Sequence, residues 1–593
     1  MIRLAAVKVS GELPGMKPRH ALPALALLAF AAVAAIAAPA FAKPAKAPPP
    51  PAGEVAFEAE RGGSAYGLYL AGQAAMNDGR SDLALSYFDR AAAANLESGD
   101  LGRRTFIAAV LSGDVQRAAA LAPGAEAGST LQRLGALEKV VDAIAAGRGE
   151  EAQALLASGA VSVPHRGAAA MLAPWAAAAA GDKAGSVVRP DVRGDRLVEV
   201  FGQLGQALLF ERAKRYDEAE TDYMALTGLG DAGLLFVLDH GAFLERRGRR
   251  DDALALYDKA LEQAPDDIGL RAARERVVRR GKAPSLPTVR EGAARALLPA
   301  ATAFAGERQY EMAMAYVRMS LYLDPTREDS RVLLGDVLSA MEDVDQAREA
   351  YASIPATSAY YPGVRSKLAW SYQQAKEPEQ GLAMARQAYE AQPTDRDAAL
   401  TYADLLRANE RFAESAAVLD GVVARAGATP DWRLLYMRGI ALERSGQWTA
   451  AERDLTAALA QQPNEPDLLN YLGYAWIDRG ERLAEAMDMV KRAVAANPRS
   501  GAMVDSLGWA YFRIGDFRNA VEKLEEAVLL APADPEINNH LGDAYWRVGR
   551  MIEARFQWDR ALSLDPPPSI KADAEAKLKA GLPPVKPAAV AAK

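Results

Sequence analysis

The stretch Asn470-Tyr471-Leu472-Gly473-Tyr474-Ala475-Trp476 returns, altered but in step, as Asp505-Ser506-Leu507-Gly508-Trp509-Ala510 and as His540-Leu541-Gly542-Asp543. An earlier copy centres on Gly439, after Leu434-Leu435-Tyr436, so that four glycines stand 34, 35 and 34 residues apart. Each precedes a bulky residue by three positions: Leu442, Trp476, Tyr511 and Tyr545. Each is followed by one alanine (Ala451, Ala486, Ala520, Ala554), a second (Ala458, Ala493, Ala527, Ala561) and a proline (Pro463, Pro498, Pro532, Pro566).

The spacing has a direct physical meaning. The first alanine falls where a following helix presses on the one before it, and only a small side chain lets two helix backbones come that close. The bulky residue fills the wedge between the pair, and the proline stops the second helix because its ring cannot continue the hydrogen-bond ladder. One period is therefore helix, turn, helix, stop. A single pair cannot bury its apolar face, so the pairs must stack.

This is the pattern of the tetratricopeptide repeat, and it predicts an all-α, right-handed superhelix of about twelve to fourteen helical hairpins. Composition agrees. Hydrophobic residues make up 50% of the 593 and aromatics only 7%, as expected of alanine-built helices rather than one large core.

Residues 1–42 read as an export signal. Lys17, Arg19 and His20 precede an apolar run from Ala21 to Ala38, and Ala40-Phe41-Ala42 supplies the small residues of a cleavage site, which would make Lys43 the new N-terminus. Met16 alone would open a signal of ordinary length, so Met1 and Met16 are both possible starts. These features predict a periplasmic protein; an uncleaved segment holding the chain on the membrane is the alternative. Cysteine is absent, which removes disulfides, thiolate metal sites and a lipid anchor on cysteine. The net charge of −7, more negative still without the basic leader, disfavours a nucleic-acid surface.

Along the chain, residues 43–60 form a proline-rich linker with Pro48 to Pro51 consecutive. A first helical-repeat block is expected over 61–285, starting with Gly72, Ala84, Phe88 and Ala91 and clear again at Gly241, Ala253, Tyr257, Ala260 and Pro265. Within it the pattern degenerates over 101–195, where Pro123, Gly124, Pro164 and Gly181 mark turns between alanine-rich helices. The basic run Arg271 to Lys282, followed by Pro284 and Pro287, is expected to be a solvated joint to a second block over 286–568. Residues 569–593 supply a closing helix, Lys571 to Lys579, and a disordered tail.

Signals for catalysis are weak throughout. Gly228, Gly230 and Gly233 form a Gly-x-Gly-x-x-Gly, but between predicted helices rather than after a strand, where it is a turn and not a dinucleotide cradle. The histidines His20, His165, His240 and His540 are scattered, and no nucleophile elbow or phosphate loop occurs. No catalytic residue, metal or cofactor is expected.

A binding stripe is better supported. In such a repeat the first helix lines the concave side, and positions three before, one after and four after the glycine share a face. These positions, with the arginines next to them, give a candidate peptide groove of Tyr436, Asn470, Tyr474, Asp505, Trp509, Phe512, Arg513, Asn539, Asp543, Trp546 and Arg547. Amides and carboxylates repeated along it suit the backbone of an extended peptide, the aromatic faces suit its apolar side chains, and the arginines suit an acidic group. Two other roles are open: Asn470, Asn539, Trp509 and Trp546 serving the solenoid's own packing, and the aromatics stacking on cell-wall sugars.

The four C-terminal copies resemble exported bacterial tetratricopeptide-repeat proteins of the cell envelope. They are similar in particular to adaptor lipoproteins that recruit substrates to a periplasmic carboxyl-terminal-processing protease. The likeness spans roughly residues 290–570. It implies a non-enzymatic scaffold for protein or peptide partners, with such a protease and its substrates among them. One departure is the missing cysteine, since those adaptors carry a lipid on theirs.

Overall fold

The computed structural model describes residues 64–94, 100–124, 130–265, 267–427 and 430–583. The expected export signal, the proline-rich linker and the tail beyond Pro583 lie outside them. The described residues form 29 α-helices and two short 3-10 segments, with no strand among them, so the chain is all-α as its repeats predict. No described helix is long and apolar enough to cross a membrane.

The repeat glycines show why their spacing is kept. A Cβ on Gly439 would stand 2.7 Å from Leu455, on Gly508 2.6 Å from Leu524, and on Gly542 2.5 Å from Trp558. Each obstacle is the residue sixteen positions on, where the second helix crosses the first. The same geometry recurs at Gly72 under Phe88, Gly241 under Tyr257 and Gly335 under Tyr351. Ala451, Ala486, Ala520 and Ala554 are fully buried at these crossings. Larger side chains there would force the helices apart.

A second series of glycines makes the turn inside each pair. Gly446, Gly480, Gly515 and Gly549 have φ of 82°, 73°, 85° and 82°, a left-handed conformation that other residues adopt at a cost. Helix starts are fixed by capping: Asp516 accepts from the amide of Asn519, Asp534 from those of Glu536 and Ile537, and Thr288 forms a reciprocal capping box with Glu291.

The described residues divide into two compact units, one ending at Met384 and one beginning at Ala385, within the helix Pro378–Ala391. This differs from the boundary expected near residue 285. The helix Val289–Gly306 belongs to the first unit because it packs on the helices Arg166–Ala179 and Arg196–Arg212, with Gly292 lying against the Trp175 ring and Arg295 bonded twice to Asp239. Nor is the basic run a free joint. Residues Ile268–Val278 are helical, Arg276 pairs with Glu245, and Arg274 pairs with Asp258. The degenerate stretch folds into helices Leu101–Ser112, Val115–Leu121, Thr130–Ala145, Gly149–Ala157 and Arg166–Ala179.

Candidate functional site

In the second unit the first helices of successive pairs, Pro466–Arg479, Gly501–Arg513 and Pro535–Arg547, contact one another in turn, and the last is followed on the same side by Pro568–Ala580. The eleven candidate groove residues fall on these helices and on Trp432–Arg444. Their burial is uneven. Tyr436, Asn470, Tyr474, Asp505, Asn539 and Asp543 are buried, while Trp509, Phe512, Arg513, Trp546 and Arg547 are half-buried.

Around Gly508 and Gly542 the stripe becomes a pocket of about 190 Å³ whose lining includes Tyr474, Asp478, Trp509, Glu536 and His540. The His540 Nδ1 lies 3.0 and 3.1 Å from the two carboxylate oxygens of Asp505. Burial opposes a charge on this imidazole, but Asp505, with Glu536 and Asp543 nearby, outweighs it and raises the pKa. Trp509 stacks on His540 at 4.1 Å between ring centroids and on Phe512 at 4.7 Å, which fixes its plane. The Tyr474 hydroxyl faces Glu536 Oε1 at 3.4 Å, and burial pushes the pKa of both groups up. The chemistry on offer is that of an acidic, aromatic-walled recess, suited to a cation held beside an apolar group.

The other side of the same recess is occupied by the chain itself. Lys577, from the closing helix, donates to Asp543 at 2.7 Å and Asn539 at 3.3 Å and pairs with Asp573 at 2.5 Å. Asp543 also accepts from Trp558 Nε1, and Asn539 donates to Asp573. Trp546 packs on Trp558 and lies so close to Gly581 that a Cβ there would come within 2.0 Å of its ring. Asn539, Asp543 and Trp546 thus serve the solenoid's closure. The arginines expected to take an acidic ligand are engaged as well: Arg513 bonds the carbonyl and carboxylate of Asp478, and Arg547 bonds the carbonyl of Pro583. Upstream, Tyr436 meets Tyr471 edge to face and lies away from the recess.

Glu536 and His540 were missed as site residues by considering only three positions of each first helix. Continuing the stripe one turn before Asn539 reaches Glu536, and the row four and seven residues on from there carries His540 and Asp543. The Gly-x-Gly-x-x-Gly ends one helix, Tyr216–Thr227, and opens a 3-10 turn, Gly230–Phe236, as its setting suggested. Among the described residues no cluster of acidic and histidine side chains is arranged to hold a metal ion.

Stacked hairpins that present a lined stripe from their first helices define a helical-repeat scaffold. Residues 366–430, 436–500 and 506–567 match the tetratricopeptide-repeat family model, so these residues carry that repeat. A TPR repeat-containing protein of Pseudomonas aeruginosa is 34% identical over 96 residues, a stretch covering 16% of each protein. Among solved structures, a chain of the APC/C hetero-tetramer Cut9–Hcn1 is 14% identical over 89% of this chain and 98% of its own, with a TM-score of 0.37. A tetratricopeptide-repeat protein from Parabacteroides merdae is 13% identical over 42% and 97%, with a TM-score of 0.37. A thermophilic TPR protein of Thermus thermophilus is 22% identical over 30% and 97%, with a TM-score of 0.28.

Proposed function

We propose that this chain is a non-enzymatic scaffold of the bacterial cell envelope that holds segments of other proteins on the stripe of its last repeats. The observation that supports this most directly is the recess lined by Tyr474, Asp478, Trp509, Glu536 and His540, whose other side is lined by Lys577 in its pair with Asp543. The resident lysine indicates the preferred visitor. A segment with a basic side chain flanked by apolar residues would place its cation beside Asp478 and Glu536 and its apolar group on Trp509. Several shallow contacts of this kind along one rigid face add through effective concentration. Export to the periplasm and delivery of bound substrates to a carboxyl-terminal-processing protease complete the proposal, on the resemblance of the C-terminal copies.

An array of synthetic peptides with matched basic-apolar, acidic-apolar and neutral-apolar sequences tests the stripe. Basic-apolar peptides should be retained, and the double substitution Asp478→Asn with Glu536→Gln should weaken them about tenfold without loss of helicity. Preference for acidic peptides would overturn the assignment. Reconstitution with a purified processing protease tests delivery: unaltered substrate turnover with and without this chain would remove the adaptor role and leave the scaffold.

A further inference from the structure

A larger pocket, of about 430 Å³, lies wholly within the unit that ends at Met384. It exists because the stacking is irregular there. The helix Val289–Gly306 turns away from Ile268–Val278, its predecessor in sequence, and packs instead on Arg166–Ala179 and Arg196–Arg212. The space left between them and the 3-10 turn Gly230–Phe236 is walled by Trp175, Phe201, Leu209, Phe236 and Leu298. A partly open, largely apolar volume of this size can hold a small ligand.

Its polar side chains are Gln206, Asp239, Arg295, Thr302, Arg327, Asp329 and Tyr360. Arg295 is bonded at 2.8 and 2.6 Å to the two oxygens of Asp239, and Arg327 pairs with Asp329 at 2.5 Å, so each guanidinium already has a counter-charge. Gln206 does not fit this pattern. It lines the pocket, is 1% exposed, and neither its Oε1 nor its Nε2 has a hydrogen-bond partner. Arg327 Nε, also at the pocket, has none either. Buried polar groups are rarely left so.

The inventory decides the complement. Gln206 Nε2 carries two N–H groups and Arg327 Nε one, against the single acceptor Gln206 Oε1. Three donors to one acceptor call for a group that mostly accepts, and the walls require the remainder of the ligand to be apolar. We infer that this pocket binds a straight apolar chain ending in a carboxyl group, with its head on Gln206 and Arg327 and its chain against Trp175 and Phe236. This site is independent of the stripe in the C-terminal repeats.

Titration calorimetry of the full-length chain with octanoate, dodecanoate and hexadecanoate, each kept below its micellar concentration, tests the assignment. At least one acid should bind saturably at one equivalent, with dodecanol and dodecylamine at least about tenfold weaker. Gln206→Leu, which removes the amide at similar volume, should weaken the acid about tenfold or more, and Ala296→Phe should block the pocket. Glu536→Gln in the other unit should leave acid binding intact. Absence of saturable binding by every acid, equal binding of dodecanol, or undiminished binding by Gln206→Leu would overturn the proposal. Should Ala296→Phe fail to fold, Gln206→Leu carries the decision.

Discussion

The two pockets of this chain arise in opposite ways. The recess near Gly508 and Gly542 is a by-product of regularity: repeats in step place chemically similar positions side by side, and acidic, amide and aromatic groups pair with one another across neighbouring first helices. The pocket near Gln206 comes from a break in step, where Val289–Gly306 packs on helices distant in sequence and largely apolar walls line a space with an unpaired amide. A repeat array can therefore make shallow polar sites by repetition and a deep apolar one by departing from it.

The sharpest test of that difference compares two tryptophans. Trp175 is fully buried and fits over Gly292, so Trp175→Ala should destabilise the first unit by about 4 kcal/mol, the loss typical of a large core aromatic. Trp509 is half-buried and stacked, and Trp509→Ala should cost the second unit about 1 kcal/mol. Urea unfolding of each variant, followed by circular dichroism, reads both. Comparable losses would mean that the C-terminal stripe is core as well.

The closing helix probes how far the stripe is already filled. Lys577→Met removes the counter-charge of Asp543 and leaves a buried carboxylate beside Trp558, so the C-terminal unit should lose about 3 kcal/mol. Basic-apolar peptides should then spread onto Asn539 and Asp543 if that end of the stripe is accessible once vacated. Hydrogen exchange over Pro535–Arg547 and Pro568–Ala580 would show whether opening is confined to the last unit, as nearest-neighbour stacking requires.

The two glycine series provide a finer contrast within the repeats. A methyl on Gly542 meets Trp558 at 2.5 Å and the Ala554 carbonyl at 3.1 Å, so Gly542→Ala should cost about 2 kcal/mol through overpacking. Gly549 has open space around it but a φ of 82°, and Gly549→Ala should cost about 1 kcal/mol through backbone strain alone. Thermal melts rank the pair, and the reverse order would show that the helices shift apart easily.

What could be foreseen from residues alone follows the same division. The period, the alanines and the prolines report contacts between neighbours in sequence, and these contacts recur wherever the glycine pattern is intact, from Gly72 to Gly542. The stripe was legible as a set of positions, but not the occupancy of Asp543 by Lys577 or of Arg513 by Asp478, because partners 34 or 35 residues apart depend on the offset between stacked pairs. The pocket at Gln206 left no periodic trace. It depends on Gly292 meeting Trp175 from a distant part of the sequence, where the prolines at 284 and 287 suggested a boundary instead.

The smallest predicted effect is a pH dependence of the C-terminal recess. Asp505 raises the pKa of His540 in the folded chain above the unfolded value of about 6.5, despite burial. A raised histidine stabilises the fold fully below that unfolded value, and its contribution is lost as pH rises through the folded one. His540→Gln should therefore be less stable than the natural chain by about 1.5 kcal/mol near pH 5, and the gap should narrow toward pH 9. Glu536 and Asp543, whose pKa values burial also raises, both feel the charge on His540, so part of the pH dependence of the difference is theirs. A gap that widened from pH 5 upward would mean that the imidazole is held neutral in the folded chain, and a constant gap would mean that its pKa is the same folded and unfolded. A neutral imidazole would leave the recess more negative at low pH, and its preference for basic segments should persist unchanged there. A narrowing gap instead predicts tighter capture of basic peptides as His540 loses its proton.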